Sequence, residues 1–290
     1  MEECNTLNTN ELANDVQSVI KTLSELAQKR SFVFRGYSNQ SQLLPGIIRN
    51  NDLSDLESSL LLDFEKYACY YFNANTPIDF LSCAQHFGLP TRLLDFTHNP
   101  FIALFFALGE PKDPSLNGED RDYYYIQYTS LKNNLCVRSI PLNDDVYNME
   151  FARTDSMAKK CMHYFDSVKD LFGKNIVRRT IRSLNEFIDY TEDPNYEAQK
   201  LKDHTLLFVD PPQSNQRIIM QQGLFMLPYT LNKEEHLQIL NKHSQVLKIH
   251  KDLRKELILH LDTLGYNTFR LMPDLSSICN AIKRKHINTQ

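Results

Sequence analysis

The stretch AQHFGLPTRLLDFTHNPFIALFFALGE, residues 84–110, sets two imidazoles, an arginine, an aspartate and two threonines before nine mostly apolar residues. Asn99 and Pro100 are suited to cap and open a helix over PFIALFFALGE, because asparagine accepts from orphan N–H groups and proline lacks the N–H that the first turn leaves unused. The polar half, Gln85 to Thr97, is therefore either a lead-in to a buried helix or a ligand-facing segment anchored by that helix.

Outward from this block, the apolar residues Leu12, Val16, Val19, Ile20, Leu23 and Leu26 recur at three and four and predict a helix over 10–30. SFVFRG at 31–36 reads as a short strand that delivers Arg35 to its end, with Gly36 permitting a sharp turn. Residues 52–73 carry a long helical pattern, and a second helix opens at Pro77 and stops at Gly88 and Pro90. DYYYIQY at 122–128, HTLLFVDPP at 204–212 and QVLKIH at 245–250 read as strands, with helices over 233–242, 252–264 and 274–284. This order predicts an α+β fold with a central mixed or antiparallel sheet flanked by several helices, rather than regular βαβ units. Residues 1–30 form an N-terminal helical extension, and 31–290 the main domain with a helical, locally basic insertion at about 145–200.

Composition narrows the function classes. The formal charge of −4 provides no global attraction to phosphate or to membrane, so any nucleic-acid contact has to be local. Its candidate is the segment from Lys159 to Arg182, which together with Asp155 holds seven basic residues against three acidic ones; a solvated helix face explains the same pattern. No apolar run approaches a membrane span and no signal segment is evident, which leads us to expect a cytoplasmic protein without a membrane partner. The six cysteines are scattered without CxxC spacing, so free thiols and no metal site are expected. The Gly-rich phosphate loops, HExxH and GxSxG are absent from the sequence.

What remains is polar chemistry at element ends. Arg35 is a rigid fork that either grips phosphate or carboxylate or pairs with a buried aspartate. His86 serves as donor or base near neutral pH, or is a satisfied structural histidine. Arg92 and Asp95 pair with each other, or Arg92 holds a ligand phosphate while Asp95 orients it. Gln221 and Gln222, after Arg217 and before a glycine, suit recognition of an amide or a base edge, or cap exposed backbone.

FVFRG, the 84–110 block, NQRIIMQQGLF and the terminal LGYNTFRLMPDLSSI together resemble the FRG domain, a bacterial and phage family named for its aromatic-Arg-Gly motif. The resemblance takes in roughly residues 30–285 and implies a toxin or phage-defence effector. The order of its segments is in turn similar to the ADP-ribosyltransferase superfamily, which implies a sheet of that type and NAD as cofactor. By that analogy Arg35, His86, Asp95 and Gln222 form the catalytic set, and Arg35, Gly36, Gln85, Thr91, Arg92, Thr97 and Gln221 line the cofactor cleft. The acceptor would be nucleic acid or protein. Where a transferase of that superfamily carries a late glutamate, this chain has QQG at 221–223, so either Asp95 or another acid such as Glu65 supplies the charge, or the protein senses a nucleotide or phage component without turning it over.

Overall fold

The structure, a computed structural model, describes residues 9–13, 15–49, 51–68, 70–72, 74, 76–109, 122–138, 181, 184, 205–211 and 215–287. The expected basic insertion, apart from Ile181 and Leu184, lies outside the described residues. The α+β expectation holds: eight described strands form one mixed sheet with helices on both faces.

The strands are β1 (Thr9–Ala13), β2 (Phe32–Tyr37), β3 (Leu94–Thr97), β4 (Tyr123–Ser130), β5 (Leu135–Arg138), β6 (Leu207–Asp210), β7 (Gly223–Leu227) and β8 (Gln245–His250), in the spatial order β1-β8-β4-β2-β3-β7-β6-β5. The edge pairs β1–β8 and β5–β6 are parallel, and every pairing between them is antiparallel. The described helices are α1 (Val16–Gln28), α2 (Gly46–Arg49), α3 (Glu57–Ala68), α4 (Pro77–His86), α5 (Pro100–Leu108), α6 (Gln216–Gln221), α7 (Lys233–Lys242), α8 (Arg254–Thr263), α9 (Thr268–Leu271) and α10 (Leu275–Ile287).

Local chemistry explains most of these boundaries. Thr76 accepts from the Asp79 N–H and Asn99 from the Phe101 N–H, and in both helices a proline follows the cap. The helix expected over 52–73 is shorter, because a 3-10 turn at Ser54–Leu56 precedes α3. The polar half, expected as a helix lead-in or a ligand-facing segment, contains the central strand β3. Leu94 and Phe96 alternate with Asp95 and Thr97, but four residues are too few for a period of two to stand out.

Pleat alternation divides the core. Phe34, Ile126, Leu247 and Ile249 face a layer made by α1, α5 and α8, while Phe225, Leu227 and Val209 meet α3 and α4. The opposite face carries Val33, Tyr37, Leu94, Phe96 and Met226 and packs on α7 through Leu237 and Leu240. α1 packs into the core through buried Val19, Leu23 and Leu26, and the start of the helix expected over 10–30 is instead the strand β1.

α7 is tied to the rest of the chain by His236, which is 3% exposed and whose Nε2–H donates to the Leu43 carbonyl at 2.9 Å. Burial pulls this imidazole down to about 4; the Leu43 bond opposes that shift and the Arg35 charge adds to it. The folded chain stays neutral here while the unfolded chain takes up a proton near the ordinary histidine pKa of about 6.5. Stability is therefore fully present above about pH 6.5 and falls as the pH drops from there towards 4. We expect thermal melting to shift downward across that window, and His236→Gln to flatten this part of the profile.

Candidate functional site

The sheet opens at its centre. β2 pairs with β4 along its whole length, from Phe32 opposite Ser130 to Tyr37 opposite Tyr125, yet meets β3 only at Phe34 opposite Thr97. Beyond that pair the two strands part, and the Arg35 side chain enters the gap. Its Nη1 donates to the Asp95 backbone carbonyl, and its Nε and Nη2 donate to the Gln42 carbonyl at 3.1 and 2.6 Å. A guanidinium thus satisfies a strand carbonyl that the opened ladder would leave bare. The sequence alternatives for Arg35 were a ligand grip or a pair with a buried aspartate; its structural partners are carbonyls. Burial pulls Arg35 down to about 10, Asp95 raises it and Arg49 lowers it further, so it stays charged at neutral pH.

Two adjoining cavities lie at this opening. The larger, about 200 Å³, is lined by Arg35, Gln42, Arg49, Asp95, Thr97, Arg217 and Gln221 among others. The smaller, about 150 Å³, is lined by Ser82, Gln85, His86 and Asn215, and shares Asp95, Arg217 and Gln221 with the first. Three guanidiniums thus surround one carboxylate, an excess of positive charge in a partly desolvated hollow that suits an anion. Arg49 is braced by two bonds from its guanidinium to the Leu44 carbonyl, at 3.1 and 3.0 Å, and its pKa is lowered by burial against a raising influence from Asp95. The His86 imidazole is pushed down by burial and then by Arg217, with Asp274 opposing, so at neutral pH the ring is mostly uncharged. Its Nδ1 is buried with no hydrogen-bond partner among the described residues.

The sequence-predicted residues divide. Arg35, Gly36, Asp95, Thr97 and Gln221 line the larger cavity; Gln85, His86, Asp95 and Gln221 line the smaller. Arg92 lies elsewhere: only 3% exposed, it forms an ion pair with buried Glu57, Nη2 to Oε2 at 2.5 Å, and so does not line either cavity. The alternative that Arg92 pairs with Asp95 is replaced by this pair from α3. Thr91 is 1% exposed and bonds to Gln85, behind the cavity wall. Gln222 is exposed in the left-handed conformation at φ 46°, closing α6 with its backbone while its carbonyl accepts from His98 at 3.0 Å; it lines neither cavity. Glu65 lies on α3, and it too lines neither.

Gly36 sits inside β2 rather than at a turn. A Cβ there would lie 1.8 Å from the Ala103 carbonyl oxygen and 2.7 Å from the Ala107 nitrogen, both backbone atoms of α5. The three letters of the motif thus have three separate physical roles: Phe34 fills the core, Arg35 bridges the gap and Gly36 admits α5.

Sequence reasoning passed over Gln42 and Arg49, and noted Arg217 only as a neighbour of the amides. No local signal marks them, since each reaches the site by chain reversal rather than by spacing. Among the described residues no group of histidine, cysteine or acidic side chains could hold a metal ion. Nor is any described helix long and apolar enough to cross a membrane. Among the described cysteines, Cys83 and Cys279 are free thiols. A larger groove, about 1000 Å³, runs between α5, α8, α9 and α10; its lining is mostly apolar and includes none of the predicted site residues.

Residues 30–115 match the family model of the FRG domain, the family that the aromatic-Arg-Gly motif resembles. The match is shorter than the 30–285 of the sequence resemblance, and it contains Arg35, Arg49, Gln85, His86 and Asp95 but neither Arg217 nor Gln221. No curated protein and no solved structure matches the chain.

Proposed function

We propose that the opening between β2 and β3 binds a phosphorylated nucleotide, and that the chain is an ADP-ribosyltransferase-like toxin or defence effector using NAD on a nucleic-acid or protein acceptor. One observation carries this reading: Arg35, Arg49 and Arg217 converge on a cavity whose wall offers a single carboxylate, Asp95. A diphosphate carries the complementary charge, and guanidinium N–H groups that are not spent on carbonyls can donate to its oxygens.

Arg35, Arg49 and Arg217 would hold the pyrophosphate of NAD. Half-buried Phe106 adds an aromatic surface to the same wall. NAD supplies, when bound, a ribose carbon made electrophilic by departure of nicotinamide. Asp95 is fixed on a core strand, where its carboxylate stabilises positive charge developing beside it without reorganising. His86, uncharged at neutral pH, is in the right state to take a proton from an acceptor in the smaller cavity. The role that the superfamily gives to a late glutamate thus falls to Asp95 rather than to Glu65 or the Gln221–Gln222 pair.

A second reading, a sensor that binds a nucleotide or phage component without turnover, is favoured by those same glutamines, which are neutral where the superfamily carries an acid. Incubation with labelled NAD separates the two. Nicotinamide release or label transfer supports the transferase; binding without either supports the sensor; neither binding nor release, from folded protein, removes the transferase and any sensor of NAD. Saturation at 100 times the dissociation constant should add about 2.7 kcal/mol to stability. We expect Arg217→Gln to weaken NAD binding by about tenfold or more, the loss of one charge-assisted hydrogen bond, while leaving the melting temperature of the free protein near wild type.

A further inference from the structure

Gln85 and Thr91 were expected to touch the ligand, but their hydrogen bonds run the other way, into a directed chain that ends on Asp95. The backbone N–H of Leu93 donates to Thr91 Oγ1 at 3.2 Å, and the Thr91 hydroxyl donates to Gln85 Oε1. The Gln85 Nε2–H in turn donates to Asp95 Oδ1 at 2.7 Å. Each direction is forced. A carboxylate only accepts, so Gln85 turns its amide NH2 to Asp95 and its carbonyl to Thr91, whose hydroxyl then donates to that carbonyl while accepting from the Leu93 N–H. Thr91 is 1% exposed and cannot exchange these partners for water, whereas Asp95 is the one exposed position of β3.

We infer that Thr91 and Gln85 are positioning residues that hold one oxygen of Asp95 inside the protein, so that its other oxygen meets the cavity as a dedicated acceptor for a sugar hydroxyl next to the bound phosphate. This rests on the nucleotide reading above, and it makes Asp95 a specificity-determining residue: the guanidiniums attract any phosphate, and the carboxylate selects one that carries a ribose. A carboxylate accepts two hydrogen bonds readily and repels a second anion, so it rewards a neutral donor at that place and penalises a further phosphate.

The test has two arms. The first needs no ligand: the side-chain amide signals of Gln85 and the carboxyl carbon of Asp95 are followed by NMR in the free chain. Thr91→Val, close in shape but lacking the hydroxyl, should shift both, and Thr91→Ser should restore them. Signals that stay unchanged in Thr91→Val overturn the relay. If that variant fails to fold, Gln85→Met, at a half-buried position, should still shift the Asp95 signal; an unmoved signal has the same adverse meaning. The second arm compares adenosine 5′-monophosphate, its 2′,3′-dideoxy form and pyrophosphate by calorimetry. Wild type should prefer the ribonucleotide by on the order of tenfold, a charge-assisted hydrogen bond's worth. That preference should disappear in Thr91→Val or Gln85→Met and return in Thr91→Ser, and pyrophosphate should bind Thr91→Val and Thr91→Ser like wild type. Equal binding of both nucleotides by wild type overturns the inference and leaves the nucleotide reading standing. No binding of any probe, NAD included, removes that reading together with the inference.

Discussion

Gly36→Ala should lower the stability of this protein by about 3 kcal/mol or more, read as a shift of the urea midpoint at unchanged slope. The added methyl would sit 1.8 Å from the Ala103 carbonyl oxygen and 2.8 Å from its carbon, and backbone atoms cannot swing aside as a flexible side chain can. Relief requires α5 to lift off β2, which would expose a helix whose Ile102, Leu104, Phe105 and Leu108 are buried. A control is built into the sign. In an unstrained strand, alanine in place of glycine narrows the unfolded ensemble and stabilises by about 0.4–1 kcal/mol, so a more stable variant would refute the close approach. Ala103→Gly should not rescue Gly36→Ala, because the clash is with main chain rather than with the alanine methyl.

Arg92→Met is expected to cost about 3–5 kcal/mol, because it leaves the Glu57 carboxylate buried without its counter-ion. Arg92 and Glu57 are 3% and 5% exposed, and Nε bonds both carboxylate oxygens at 3.1 and 3.0 Å while Nη2 holds one of them. Replacing both partners, Arg92→Met with Glu57→Leu, should recover most of that loss, since two apolar groups leave no charge to desolvate. A double-mutant cycle by chemical denaturation measures the coupling; additive losses, or a neutral Arg92→Met, would show that the pair does not join α3 to the lead-in of β3. The same experiment bears on the site, because a ligand-binding Arg92 would lose affinity in this variant while keeping its stability.

Much of the fold was legible one element at a time. Helix α5 announced itself through Asn99, Pro100 and a run too apolar for solvent, and α4 through Pro77, while β4 and β8 showed as aromatic or β-branched runs. β3 and β7 were harder. β3 spans four residues between the Thr91 turn and the Asn99 cap, and β7 follows directly on a six-residue helix closed by Gln222, so neither had room to establish a period. Gly36 was correctly singled out as special for the wrong reason: its freedom from a side chain serves the close approach of Ala103 on α5, sixty-seven positions later, not a turn of its own backbone.

The candidate site followed the same division. From the sequence alone came the residue types able to do the chemistry, Arg35, His86, Asp95 and the amides, because a side chain's donors, acceptors and charge belong to it wherever it is placed. Tertiary structure decided which of them meet. Arg92, three residues from Asp95, is drawn into the core by Glu57, whereas Arg49 and Arg217 are brought to Asp95 from distant segments. Helix periods and caps act over a few residues and leave a mark in the sequence; the order of strands across a sheet is settled by burial and ladder bonds between segments far apart, and it is that order, with its parting between β2 and β3, that makes a cavity out of scattered arginines.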